Sequence, residues 1–150
     1  MKIKKLRLYL DNCCYNRPFD EQDQAKIRLE TEAKLHIQSL IREKVYSLVW
    51  SYVLDSENDD NPYEEKRQAI ALWRRIADEY CASSEEILLS GEKIMTIGIR
   101  AKDALHIACA LYCGCDYFIT TDQRLVVNKA VEKIRIVNPV TFVIEMEGLK

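Results

Sequence analysis

This chain of 150 residues lacks any apolar run that approaches membrane-spanning length. Its opening stretch, MKIKKLRLYLDN, turns acidic too early for a secretory signal peptide. Internal repeats and low-complexity segments are also missing. Apolar residues make up 48% of the chain and charged residues 31%, a balance typical of folded globular proteins. We therefore expect a cytoplasmic protein without a membrane partner, in which residues 1–150 form a single domain.

Several signatures of catalysis are absent as well. The 6 cysteines include no Cys-x-x-Cys unit, which argues against a zinc site. There is no glycine-rich phosphate loop and no Asp-x-Asp nucleophile after the first predicted strand. Neither histidine lies near a serine or cysteine in a hydrolase motif, so acyl transfer has no support. The net charge is −2, so any contact with nucleic acid would require a local basic patch.

The hydrophobic pattern alternates between strands and helices along the whole chain. Such alternation predicts a parallel sheet covered by helices. The predicted strands cover residues 5–10, 45–50, 117–120 and 134–137. The predicted helices cover residues 23–44, 51–57, 63–80 (with Leu72 and Trp73 on the buried side), 83–95, 102–113 and 123–131, whereas residues 140–150 fit either helix or strand.

The segment from Lys102 to Asp122 has the clearest pattern in the chain. A nearly continuous apolar run predicts a helix that is buried on most sides, and Gly114 is suited to its end. A short aromatic and β-branched run then predicts a central strand. Asp103 opens the helix and Asp122 follows the strand. Because ligands bind at the carboxyl ends of parallel strands, Asp122 is in a functional position if the sheet is parallel.

Two motifs in this segment carry a resemblance to a known family. Asp103-Ala-Leu-His-Ile-Ala and Phe118-Ile-Thr-Thr-Asp122 resemble the second half of a PIN domain, the nuclease domain of many VapC-type toxins. The first half fits too, since Asp11 follows the first strand and Glu57 lies in the helix after the second strand. The resemblance implies a three-layer α/β/α sandwich with a mostly parallel central sheet of about four to five strands.

The resemblance implies that Asp11, Glu57, Asp103 and Asp122 are both the catalytic residues and the metal ligands. Oxygen-only ligands suit Mg²⁺ or Mn²⁺, which can activate water for phosphodiester hydrolysis. The implied function is a metal-dependent endoribonuclease, with RNA as substrate and an antitoxin protein and a homodimer as expected partners. Asp55 competes with Glu57 for the second position. The family often has Thr-Asn after its first Asp, but here Asn12-Cys13 follows, so a ligand role for Asn12 is only a guess.

Basic residues flank the matched carboxylates, and cations beside such a site would hold a nucleic-acid backbone. Arg17 and Arg124 are the preferred substrate-binding residues, although exposed helices commonly carry arginine without such a role. His106 follows Asp103 by about one helical turn, so both could reach one metal ion, but structural partners for His106 are the favoured interpretation.

Structural alternatives exist for each carboxylate taken singly. Asp11 could be a turn residue, Asp103 a helix-start residue, and Glu57 a solvated surface group. The order of all four residues along the predicted elements favours a metal site. Two rival functions remain: a non-catalytic PIN-fold module that binds RNA or protein, and a phosphohydrolase that acts on small phosphate esters.

Overall fold

A computed structural model of the protein describes residues 5–15, 25–128 and 131–148. In these residues five strands form one fully parallel sheet with the order β3-β2-β1-β4-β5. The strands are β1 (Arg7–Leu10), β2 (Ser47–Ser51), β3 (Glu79–Cys81), β4 (Tyr117–Ile119) and β5 (Arg135–Val137).

Helices connect the strands and complete the α/β sandwich expected from the sequence. A 3₁₀ turn at Asn12–Cys14 follows β1 directly. The α-helices of the described residues are α1 (Ala25–Arg42), α2 (Tyr52–Asp59), α3 (Glu64–Ile76), α4 (Glu85–Met95), α5 (Ala101–Tyr112), α6 (Gln123–Val127) and α7 (Pro139–Glu147). None of these helices is long and apolar enough to cross a membrane.

Strand β1 lies at the centre of the sheet. Tyr9 stands opposite Val49 of β2 on one side and Phe118 of β4 on the other. Leu8, Tyr9 and Leu10 are all at most 1% exposed, as the apolar end of the first predicted strand requires. Since every strand runs in the same direction, the residues that follow β1 and β4 emerge at one edge of the sheet.

The helix, turn and strand of residues 102–122 form as predicted. Helix α5 buries half of its 12 residues and ends at Tyr112. Gly114 then adopts a φ of 66°, in the left-handed region that glycine enters without steric cost. Cys115 N–H donates to the carbonyl of Ala110 at 2.9 Å, which closes the helix and directs the chain into β4.

The long helix predicted over residues 63–80 is shorter in the structure. Helix α3 ends at Ile76, and Glu79–Cys81 forms the edge strand β3, parallel to β2. The Asp78 carboxylate accepts the N–H of Leu48 at 2.9 Å and sets this turn. Tertiary pairing with β2 therefore overrides the helical pattern at this point. Leu72 was assigned to the buried side but is 55% exposed, whereas Trp73 is buried.

Two carboxyl-terminal predictions are also refined. Helix α6 ends at Val127 rather than at residue 131. The ambiguous tail is helix α7, because the Asn138 side chain caps it and Pro139 occupies its first turn. Strand β5 before it confirms the predicted strand at residues 134–137 to within one residue.

Candidate metal-binding site

Each of the four matched carboxylates lies beside the edge where β1 and β4 end. Asp11 directly follows β1, and its N–H donates to the carbonyl of Ile119 at 2.9 Å. Asp122 follows β4 by three positions and caps α6. Asp103 lies in the first turn of α5, and Glu57 lies in α2, the helix that begins directly after β2.

Thr120, a fully buried residue, connects the Asp11 carboxylate to the backbone of Asp122. Its hydroxyl donates to Oδ2 of Asp11 at 2.7 Å and accepts the N–H of Asp122 at 3.0 Å. The other oxygen of Asp11, Oδ1, accepts the N–H of Asn12 at 2.8 Å. Both oxygens of Asp11 are therefore oriented by short hydrogen bonds, as expected for a carboxylate that must present a fixed geometry.

Glu57 and Asp11 form a compact group with His106. One ligand atom from each of these residues lies within 4.8 Å of the other two. His106 is only 1% exposed, and its Nε2 contacts Oε1 of Glu57. The structure thus brings His106 to Glu57, a partner that the sequence did not identify, whereas the less favoured sequence alternative placed His106 with Asp103 on one metal ion.

Asp55, the competitor of Glu57, has a different environment. Its carboxylate accepts hydrogen bonds from Trp50 Nε1 at 2.8 Å, Tyr80 Oη at 2.7 Å and Arg74 Nη1 at 3.2 Å. These contacts join α2 to β2, α3 and β3. Asp55 therefore has a structural role, and Glu57 is the carboxylate of α2 that lies beside Asp11.

The pKa of Asp103 is influenced by the charges of Asp11, Glu57 and His106. Partial burial raises the pKa of the Asp103 carboxyl, and the negative charges of Asp11, Asp122 and Glu57 raise it further, while His106 acts in the opposite direction. Asp103 therefore lies close enough to these three carboxylates for their negative charge to disfavour its ionised form.

Asp122 is the carboxylate that already has a cationic partner. Its Oδ2 accepts from Arg124 Nη2 at 3.2 Å, and its Oδ1 accepts from the Arg124 backbone N–H at 3.0 Å. These bonds and the guanidinium charge lower the pKa of Asp122. Arg124 is exposed at the rim of the site, where a ligand can reach it. Arg17, the other predicted cation, lies outside the described residues.

Carboxylate oxygens are the ligands that Mg²⁺ and Mn²⁺ prefer, and Asp11 and Glu57 place such oxygens within 4.8 Å of each other and of a His106 ring nitrogen. In the described residues Asp103 and Asp122 do not belong to this group of ligand atoms. Among the described residues, Arg124 is the one Lys or Arg that forms an ion pair with any of the four matched carboxylates. The amide oxygen of Asn12 is buried and has no hydrogen-bond partner in the described structure.

The sequence did not reveal the polar groups behind the carboxylates. Thr120 belongs to the Thr-Thr-Asp motif, so its position carried a weak signal. Tyr9 and Ser51 each contribute a hydroxyl to the group around His106. The pattern around Tyr9 indicated only a buried strand, and Ser51 was predicted only to cap the helix that follows β2. Contacts between β1, β2 and α5 depend on the tertiary fold, so local pattern could not predict them.

Comparison with known proteins supports the fold. No protein-family model and no curated protein matches the sequence. The structure is similar to a chain of VapBC2 from Rickettsia felis, solved bound to a DNA fragment from their promoter, with a TM-score of 0.57 and 10% identity. The match covers 89% of this chain and 98% of that chain. At this identity the similarity establishes the α/β fold and leaves function to the site.

Proposed function

We propose that this chain is a metal-dependent endoribonuclease of the PIN type, similar to VapC toxins. The observation that carries the proposal is the compact group of Asp11, Glu57 and His106, whose ligand atoms lie within 4.8 Å of one another. Burial and the charges of Asp11, Asp122 and Glu57 also raise the pKa of Asp103. Four carboxylates held against their mutual repulsion are an unfavourable arrangement unless a cation joins them. The fold similarity to a chain of the VapBC2 structure supports the same class.

In this proposal Asp11, Glu57, Asp103 and Asp122 hold Mg²⁺ or Mn²⁺ at the edge of the sheet. The ion supplies an activated water and neutralises the charge that develops on the phosphodiester oxygens. Thr120 and the backbone of Asn12 keep the Asp11 oxygens in place. Arg124, and Arg17 by the sequence argument, would bind backbone phosphates as charge-assisted hydrogen-bond donors.

The partners in this proposal follow from the resemblance and from the similar structure. VapBC2 was solved as a complex on promoter DNA. We propose an antitoxin protein as the regulatory partner of this chain and RNA as its substrate. Three further predictions rest on the sequence alone: a homodimer, a cytoplasmic location and a single domain over residues 1–150.

The decisive activity test uses carboxylate-to-amide variants, which preserve shape. Asp11→Asn is expected to lower Mg²⁺- or Mn²⁺-dependent cleavage of a structured RNA by at least ~100-fold, because a removed ligand costs more than the ~10–100-fold of a second-shell partner. Cleavage rates measured by gel on a labelled RNA, with and without EDTA, report the effect.

Asp55→Asn is the matched control, since Asp55 neighbours Glu57 in sequence but has structural contacts. It should keep its cleavage rate after correction for folded fraction. Full activity in a folded Asp11→Asn protein would contradict the assignment. RNA binding without cleavage by the wild type would favour the non-catalytic module. Hydrolysis of a small phosphate ester in preference to RNA would favour the other phosphohydrolase class.

A further inference from the structure

A series of buried polar side chains, joined by hydrogen bonds, leads from Glu57 into the core. Nδ1 of His106 lies 2.5 Å from the hydroxyl of Tyr9, and that hydroxyl lies 2.6 Å from Oγ of Ser51. Ser51 Oγ also accepts the N–H of Leu54 at 3.2 Å, because Ser51 is the cap of helix α2. Tyr9, Ser51 and His106 are at most 1% exposed, so bulk water does not satisfy these groups.

The hydrogen atoms of these side chains have one arrangement in which every donor faces an acceptor. A Glu57 carboxylate can only accept, so Nε2 of His106 must carry the hydrogen that faces it. In a neutral imidazole, Nδ1 is then an acceptor, and the Tyr9 hydroxyl donates to it. The Ser51 hydroxyl donates in turn to the Tyr9 oxygen and uses its own lone pair for the capping bond.

The reverse order leaves a buried hydrogen without an acceptor. If Nδ1 donated to Tyr9, the Tyr9 hydroxyl would donate to Ser51, and the Ser51 hydrogen would have no acceptor among the described contacts. An imidazolium, which donates from both nitrogens, meets the same problem. A buried donor without an acceptor is costly, so the first order is favoured.

We propose that His106 is a positioning residue that holds Glu57 through Nε2–H, and that Tyr9 and Ser51 fix the tautomer that makes this possible. The proposal rests on the proposed function in one respect, that Glu57 holds the cation. His106 binds Oε1 and so orients the carboxylate, which keeps its second oxygen for the ion. His106 itself then supplies no nitrogen ligand, and the site stays an oxygen site.

Packing makes this arrangement rigid. The Tyr9 ring stacks on Phe118 with ring centres 5.3 Å apart and planes inclined by 10°. The same ring meets His106 edge-on, with centres 5.6 Å apart. The hydrogen bonds among His106, Tyr9 and Ser51 therefore join α5 to β1, β2 and the start of α2. Helix α5 carries Asp103, and α2 carries Glu57. Preorganisation of this kind lowers the cost of assembling a metal site.

The first test measures the tautomer directly and needs no metal. Nitrogen-15 chemical shifts of the His106 ring in the metal-free wild type are expected to show a protonated Nε2 and an unprotonated Nδ1. In Tyr9→Phe the hydrogen bond to Nδ1 is lost, and the Nδ1 signal should move away from its wild-type position while Nε2 stays protonated. A protonated Nδ1 in the wild type would overturn the proposal.

The second test measures Mn²⁺ affinity by calorimetry. Tyr9→Phe and His106→Leu are expected to weaken Mn²⁺ binding by about 10–100-fold, the usual effect of losing a partner behind a ligand. His106→Gln keeps an N–H donor and should restore binding to within a few fold of the wild type. Tyr15→Phe is the matched control, because the buried hydroxyl of Tyr15 has no partner in the described structure.

The outcomes separate this proposal from the proposed function. Two results would make His106 a ligand and overturn the positioning role. One is an equal loss of Mn²⁺ affinity in His106→Gln and His106→Leu. The other is a direct nitrogen coupling to bound Mn²⁺ in pulsed electron paramagnetic resonance. A wild type that binds no Mn²⁺ would contradict the proposed function. The nitrogen-15 experiment still decides the hydrogen order in that case.

Discussion

Asp103 carries a charge that the fold alone does not stabilise. Its pKa is raised because the carboxyl is partly removed from water and because three neighbouring carboxylates repel it. A carboxyl with a raised folded-state pKa destabilises the folded protein once it ionises. The penalty is absent below the ordinary aspartate pKa of about 3.9 and complete above the raised value.

Asp103→Asn should therefore stabilise the metal-free protein while removing its activity. At neutral pH we expect a gain of roughly 0.5–1 kcal/mol, at the low end for such changes because Asp103 remains partly in contact with water. The gain should shrink as the pH falls toward about 4. Thermal unfolding in EDTA across this pH range measures it, and a loss of stability at neutral pH would contradict the electrostatic account.

Thr120 offers a second test at the scale of one side chain. Thr120→Val keeps the shape but removes the donor to Asp11 and the acceptor for Asp122 N–H. We expect a stability loss of about 1–3 kcal/mol, because a buried N–H is left unsatisfied. Mn²⁺ affinity should fall about 10–100-fold.

Thr121→Val serves as the neighbouring control, since the Thr121 hydroxyl donates to the sulfur of Cys13 at 3.2 Å and contacts no carboxylate in the described structure. Urea unfolding and calorimetry on the two variants give both quantities. Unchanged Mn²⁺ affinity in a folded Thr120→Val protein would show that Asp11 does not need this support.

The positions of Asp11, Asp103 and Asp122 could be predicted from the sequence because each follows or begins a recognisable element, whereas Glu57 lies within α2. Their role as metal ligands stays a prediction. Asp11 and Asp122 follow strands with clear apolar patterns, and Asp103 opens an alanine-rich helix. Tyr9, Ser51 and Thr120 could not be assigned in the same way. Their hydroxyls find partners on other elements, and those partners are known only once the sheet order is known.

At the scale of the element, the turn at Gly114 controls how α5 leads into β4. Gly114 has a φ of 66°, and an added Cβ would meet no atom within 4 Å. The cost of a side chain there is therefore a backbone cost with no steric clash. Asparagine tolerates this conformation better than alanine does, because its side chain can bond locally to the backbone.

Gly114→Ala should destabilise the protein by about 1–2 kcal/mol through backbone strain. That loss corresponds to a fall in Tm of roughly 2–8 °C for a protein of this size. Gly114→Asn should lose less. Calorimetric unfolding of both variants provides the comparison, and equal Tm values for Gly114→Ala and the wild type would contradict the strained turn.

Strand β3 shows why one element was missed. The stretch before it has strong helical spacing, and nothing in residues 77–80 marks a strand. In the structure the segment is held by pairing with β2 and by Asp55, which accepts from the Tyr80 hydroxyl at 2.7 Å. An edge strand of three residues depends on its neighbour rather than on its own propensity.

At the scale of the whole molecule, the strand and helix alternation was sufficient to predict the parallel sheet. The structure has the α/β fold seen in a chain of VapBC2, although the two share 10% identity. A common fold at such low identity is expected when apolar patterning and element order are kept while surface residues change. The site at the sheet edge, rather than the fold, must therefore carry the functional argument.

Divalent cation binding would link the proposed site to the stability of the whole protein. A cation that binds the folded state only would stabilise it by RT ln(1 + [L]/Kd) and would offset the repulsion among the four carboxylates. The same cation is the central requirement of the proposed nuclease. Its binding is therefore the property on which the whole account depends.

The most direct measurement is isothermal calorimetry of Mn²⁺ binding to the wild type and to Asp103→Asn in parallel. Glu92→Gln, an exposed carboxylate change on α4, serves as the charge-matched control. We predict saturable binding to the wild type and to Glu92→Gln, and loss of binding in Asp103→Asn. Binding that survives unchanged in a folded Asp103→Asn protein, or no binding to the wild type with RNA present, would contradict the metal site.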